Sequence, residues 1–291
     1  MRLSRDERVL SIINYVALTL IGLSCLFPLM HIISVSFSGY NAIITDQVTL
    51  WPVGISWENY DLLLQGTDVV RGFTNNVVIT VIGSALSMLA TILAAYPLSR
   101  SYCIGRKPIT MAIVFTMLFQ GGLIPTFLLV KNLGLIDSYW SLWFLTLVSA
   151  YNMLIMRTFF QQIPEEMIES ARMDGCSEWR ILFNMILPLS KPVLATLTLF
   201  YAVHYWNIFL GVLIYINDSD KKNLTVMVQQ MIQSQQLIAQ LGKDAFDVNI
   251  NLTPEGIKSA GIMVLVAPLM IIYPFLQKYF VKGVMLGSVK G

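Results

Sequence analysis

The sequence predicts an all-α polytopic membrane protein, on three grounds. It is 56% hydrophobic and only 12% charged, its mean hydropathy is +0.67, and its apolar residues gather into long runs separated by short charged stretches. A chain of 291 residues so poor in charge lacks the polar surface to enclose its apolar side chains in water. The surplus must face lipid. A helix crosses the hydrocarbon core with about 20 apolar residues, and six segments qualify: 9–36, 73–99, 108–130, 140–160, 192–216 and 256–280.

The first run follows Arg2, Arg5 and Arg8, as a secretory leader would, but it is too long and lacks a small-residue cleavage site. It reads as an uncleaved first span. With the N-terminus inside, the cytoplasmic face holds Arg2, Arg5, Arg8, Arg100, Arg106, Lys107, Arg157, Arg172, Arg180, Lys191, Lys278, Lys282 and Lys290. The outer face holds only Arg71, Lys131, Lys221, Lys222, Lys243 and Lys258. That excess predicts both termini in the cytoplasm. The outer segment Gly39–Gly72 carries Trp51, Trp57 and Tyr60, whose amphipathic rings suit a helix at the headgroup level. Within the third span, Gln120-Gly121-Gly122 and Pro125 weaken the helical ladder and predict either a gate or a packed kink. Ala94, Ala95 and Pro97, and later Pro268 and Pro274, permit further bends. The outer loop 217–255 contains Leu224, Val228, Met231, Ile238 and Leu241 near helical spacing.

The loop 161–191 is a charged island between two apolar runs, and each of its charges at a membrane centre would cost about 2.5–3.5 kcal/mol. It lies outside the bilayer, yet its residues specify helix. Pro164 suits a first helical position, Glu165 and Glu166 complement the helix dipole, and Gly175 sits where a left-handed residue would end the helix. Ser177 can cap a second short helix, set off from the next span by Pro188 and Pro192. The result is a two-helix knob.

Glu169, Ala171, Gly175, Leu187 and Pro188 match the E-A-A-x3-G-x9-I-x-L-P cytoplasmic signature of permease subunits of binding-protein-dependent ABC importers, with Ser170 and Met185 as departures. The segments 120–130, 155–166, 186–207 and 276–291 also resemble the LplC-type branch of the carbohydrate permeases, relatives of the maltose permease. The resemblance implies an ABC type I importer permease fold in a bacterial cytoplasmic membrane. It implies as partners a second homologous permease subunit, two ATPase subunits or a homodimeric ATPase, and an extracytoplasmic substrate-binding protein. The knob would be the ATPase-coupling element. Met167, Ile168 and Ala171 would give it an apolar face, Glu165, Glu166, Glu169 and Arg172 a polar rim, with Asp174 beside Gly175. The tail with Lys282, Gly283, Gly287 and Lys290 would reach the same ATPase, the outer loop 217–255 would either approach the binding protein or form a solvated loop with helix, and complex or acidic oligosaccharides would be the cargo.

No phosphate-loop, G-x-S-x-G or H-E-x-x-H motif occurs, so no catalytic centre is expected here, and ATP and Mg belong to the partner ATPase. No metal is expected, and Cys25, Cys103 and Cys176 read as unpaired thiols. A net charge of +2 without a basic stripe gives no sign of nucleic-acid binding. The spans hold His31 and His204 but no chain of buried acids or lysines, which argues against proton coupling. Tyr151 and Asn152, and the run His204, Tyr205, Trp206 and Asn207, combine ring faces with hydrogen-bonding heads. They either line a sugar pathway or pack the bundle. The alternative reading of the whole chain is a secondary transporter or facilitator of a small polar solute acting without ATP; a third is a non-transporting membrane scaffold.

Overall fold

The computed structural model describes residues 5–66, 68–119, 121–241 and 254–288. Arg2, Gln120, Lys243 and Lys290 lie outside the described residues, as do the side chains of Ile238, Leu241, Lys278 and Lys282. The described residues are helical apart from their connections and one isolated bridge between Ser38 and Ile55. They divide into two compact units: residues up to Val70 with Met227–Pro268, and Arg71–Val226 with the residues from Leu269 on.

The first unit opens with α1, Arg5–Ser36, whose apolar side chains are exposed all round: Leu18, Leu20, Phe27 and their neighbours are more than half exposed. Such a surface is stable against lipid or another apolar helix and unstable in water. Pro28 sits inside α1. Its C-terminal end is capped by a side chain: buried Asn59 donates to the Ser36 and Ser38 carbonyls at 3.2 and 3.0 Å, and the Tyr60 hydroxyl donates to Ser36 Oγ at 3.1 Å. Two short helices follow, α2 (Tyr40–Ile44) and α3 (Glu58–Gly66). Between them Trp51 stands exposed, while Trp57 and Tyr60 pack around Phe37 with ring centroids 5.1 Å from it. Of the three aromatic residues expected on one outer helix, Tyr60 lies in α3, whereas Trp51 and Trp57 lie in the connection before it.

The second unit is built on α4, Val69–Ser99, from Arg71 onward. After it come α5 (Arg106–Leu118) and α6 (Leu123–Asn132), broken where the glycine pair and Pro125 were expected to weaken the ladder. Next are α7 (Trp140–Leu145) and α8 (Ala150–Gln161), which divide the expected fourth span in two. The knob contains α9 (Glu165–Met173) and α10 (Glu178–Ile181). A π-helical turn, Leu182–Ile186, leads into α11 (Leu187–Leu189), and α12 (Lys191–Trp206) departs at 84°. Pro188 would clash with the carbonyl four residues back in a regular α-helix, and the wider π turn just before it relieves that clash. Then follow α13 (Leu210–Tyr215), α14 (Leu224–Leu241) and α15 (Pro254–Ser288), the last two each with residues in both units.

Among the described residues, three helices are long and apolar enough to cross a membrane, at Leu10–Ser36, Val69–Ser99 and Pro254–Pro274, and counting each bent pair as one span raises the number to five.

Candidate functional site

The knob has the local structure its residues specify. Gly175 has φ +79°, its N–H bonds the Arg172 carbonyl at 2.9 Å, and the Cys176 N–H bonds the Ala171 carbonyl at 3.0 Å. These two bonds form the glycine-terminated cap that satisfies the last carbonyls of a helix. Ser177 Oγ then accepts the Arg180 N–H at 3.4 Å and starts α10. Pro164 stands one residue before α9, with Glu165 and Glu166 in its first turn.

The face that α9 turns inward differs from the expected one. Ile168 is fully buried in the unit's own core and Ala171 packs against it. Of the large apolar side chains on α9, Met167 and Met173 stay exposed, so Ile168 is the one whose burial gains most, about 1.5–3 kcal/mol. Neither residue is therefore free to form the outward apolar face. The apolar side chains that are exposed are Met167, Met173 (89%), Trp179 (62%) and Phe183, the last two stacked with centroids 6.2 Å apart. Glu166, Glu169, Asp174 and Pro188 are exposed, and Leu187 is half-buried against the core.

A cluster that sequence reasoning missed ties the knob inward. Glu178 Oε2 accepts the Tyr96 hydroxyl at 2.8 Å and the Tyr102 hydroxyl at 3.1 Å, and Oε1 accepts Arg172 Nε at 2.8 Å. The Arg172 guanidinium lies 4.3 Å from the centroid of the Tyr102 ring, a cation–π contact. Partial burial pushes the Glu178 carboxyl up, but the hydrogen bonds from Arg172, Tyr96 and Tyr102 outweigh it and hold the carboxyl below its ordinary value. Partial burial, and then the bond to Glu178, push the Tyr102 hydroxyl up. At the start of α9, Ser101 Oγ donates to Glu165 Oε1 at 2.5 Å. Nearby, Arg100 Nη2 donates to the Phe160 carbonyl at 3.0 Å, and Arg157 Nε donates to the Leu98 carbonyl at 2.9 Å. Each arginine caps the C-terminal end of the other's helix, where cations are favoured. The sequence signal was Tyr96 and Tyr102 flanking Arg100, with a carboxylate directly after the cap Ser177.

The six residues proposed for a pathway separate into two groups. Tyr151, Asn152 and His204 border a cavity of about 760 Å³, together with Phe200, Tyr201 and Tyr273. Tyr205 and Trp206 are buried away from it, and Asn207 caps α12 by donating to the Val203 carbonyl at 2.8 Å. Four consecutive helical residues step round by about 100° each, so they cannot share one face. Instead the Tyr205 hydroxyl meets Ser87 Oγ at 2.8 Å and accepts Thr146 Oγ1 at 2.9 Å, bridging the α7–α8 break. Tyr201 does likewise, meeting Thr91 Oγ1 at 2.6 Å and accepting the Ser149 N–H at 3.2 Å. At the α12–α13 break, Asn76 donates to the Trp206 carbonyl at 3.3 Å and Asn223 to the Ile208 carbonyl at 2.7 Å. Backbone freed by helix breaks is thus satisfied by side chains, as nonhelical backbone inside a membrane requires.

Residues 70–286 match the model of the family described as binding-protein-dependent transport system inner membrane component. The chain belongs to that family. The polygalacturonan/rhamnogalacturonan transport system permease protein YtcP of Bacillus subtilis (strain 168) is 41% identical over 287 residues, covering 98% of this permease and 99% of the relative. Protein LplC of the same organism is 39% identical over 290 residues, covering 99% and 97%. The LplC-type resemblance is therefore upheld. Among solved structures, a chain from a bacterial ABC transporter involved in the import of the acidic polysaccharide alginate superposes with a TM-score of 0.86 at 31% identity, covering 96% of the permease and 99% of that chain.

Proposed function

We propose that this permease is one half of the membrane pathway of an ATP-driven, binding-protein-dependent importer of oligosaccharides in a bacterial cytoplasmic membrane. In this reading the chain crosses six times with both termini inside. It pairs with a second, homologous permease, receives cargo from an extracytoplasmic binding protein, and is driven by two ATPase subunits that hold the ATP and Mg. The observation that carries the reading is the knob: two helices joined at left-handed Gly175, presenting Met173, Trp179 and a ring of carboxylates outward while Ile168 anchors them inward.

An exposed apolar tip with a charged rim is the composition of a protein contact, and an ATPase cleft closing on ATP would push on it. The push would open the pathway toward the binding protein. The cavity at Tyr151, Asn152 and His204 supports a sugar cargo, because ring faces and amide or imidazole heads suit pyranose stacking and hydroxyl bonding. The relatives named for polygalacturonan/rhamnogalacturonan and for alginate support the same class. Selection of one sugar would belong to the binding protein.

The test is gentle extraction of the tagged chain from its native membrane, with mass spectrometry of what copurifies. A phosphate-loop ATPase and a second permease are expected. The chain alone under several mild detergents would favour a self-contained transporter.

A further inference from the structure

We infer that Glu178 is a positioning residue that fastens the coupling knob to the inner end of α4, so that a push on the knob moves α4 and, with it, the wall of the cavity; the inference rests on the docking reading above. The buried anchors of the knob's two helices, Ile168 on α9 and Ile181 on α10, are apolar contacts, and apolar contacts are nondirectional. A carboxylate that accepts three hydrogen bonds fixes direction as well as distance.

Glu178 lies where this matters most. Through Arg172 it bridges α10 to α9 across Gly175, so the two short helices act as one body. Through Tyr96 it reaches the inner end of α4, and through Tyr102 the link to α5. The bond from Ser101 to Glu165 ties the other end of the knob to that link. The reciprocal arginine caps, Arg100 on Phe160 and Arg157 on Leu98, join α8 to the same end of α4. From there the route outward is continuous. Thr91, little more than a turn from Tyr96 on α4, bonds Tyr201, and Tyr201 borders the cavity and holds the Ser149 N–H at the α7–α8 break. Coupling through packed elements requires a contact that resists sliding at each junction. At the knob that contact is Glu178.

The experiment uses the copurified permease–ATPase complex, with spin labels on cysteines introduced at exposed Val81 of α4 and exposed Leu210 of α13 after Cys25, Cys103 and Cys176 are replaced. The label separation is measured without nucleotide and after trapping with ATP and vanadate. Wild type is expected to shift between the two states. Glu178→Ala is expected to keep its ATPase and lose the shift, and Glu178→Gln, which still accepts from both tyrosines, to keep part of it. Tyr102→Phe removes one hydroxyl from a half-exposed ring without disturbing packing, and its expected smaller shift keeps the test decisive if Glu178→Ala folds poorly. A full shift in Glu178→Ala or in Tyr102→Phe, with ATPase bound, would overturn the inference alone. A wild-type complex that holds no ATPase would overturn the docking reading, and this inference with it.

Discussion

At Gly175 the backbone, and no neighbouring atom, limits what the position accepts. Its φ is +79°, yet a Cβ there would meet nothing within 4 Å. Gly175→Ala should therefore cost only about 1 kcal/mol of local helix-end stability and leave ATPase copurification close to normal. Gly175→Asp adds a charge to the surface proposed to meet the ATPase, and its copurification should be lost. Comparing recovered ATPase for the two variants separates strain from contact, and equal recovery would sink the docking surface. Glu178 sets a pH dependence. Its folded-state value is depressed, so its stabilisation is present above the ordinary value of 4.5 and is lost as pH falls through the lower folded value. The unfolding midpoint of wild type should thus exceed that of Glu178→Gln by a constant gap at neutral pH, closing only below the ordinary carboxylate range. The Arg172–Glu178 pair is open to water and by itself contributes no more than about 1 kcal/mol, so a modest gap is expected.

At the scale of elements, the helix breaks are where polar chemistry concentrates. Tyr205→Phe removes the hydroxyl that bridges Ser87 and Thr146, but Ser87 keeps the Thr146 carbonyl and Thr146 the Leu142 carbonyl as partners, so it should cost about 0.5–1.5 kcal/mol, read as a lowered thermal unfolding midpoint in detergent. Gly83 lies against the same ring: a Cβ there would come within 2.8 Å of it. Gly83→Ala should destabilise by about 1–3 kcal/mol through overpacking, and the Gly83→Ala/Tyr205→Phe pair should be non-additive because the two residues touch. The apolar runs, the knob's capping residues and the weak third span were all legible in the sequence, since each depends on local composition. The inward face of Ile168 and the division of the His204–Asn207 run were not. Both depend on which neighbour each helix meets, and a run of consecutive polar and aromatic residues carries no facing information until the helix is packed. In the sequence Glu178 is simply one of the charges of the island 161–191; its role needed Tyr96, 82 positions earlier, to be placed beside it.

For the molecule as a whole, the exposed apolar surface of α1 suits a chain that lives in lipid and, in the proposed reading, with partners. The central claim is that those partners supply the energy. The most direct measurement reconstitutes the copurified assembly with its binding protein in sealed vesicles and follows uptake of acidic oligosaccharides with ATP present, and then with ATP removed while a membrane potential is held. Uptake that stops with ATP and ignores the potential is the predicted result. Uptake that continues on the potential alone would contradict the account and make this chain a secondary transporter.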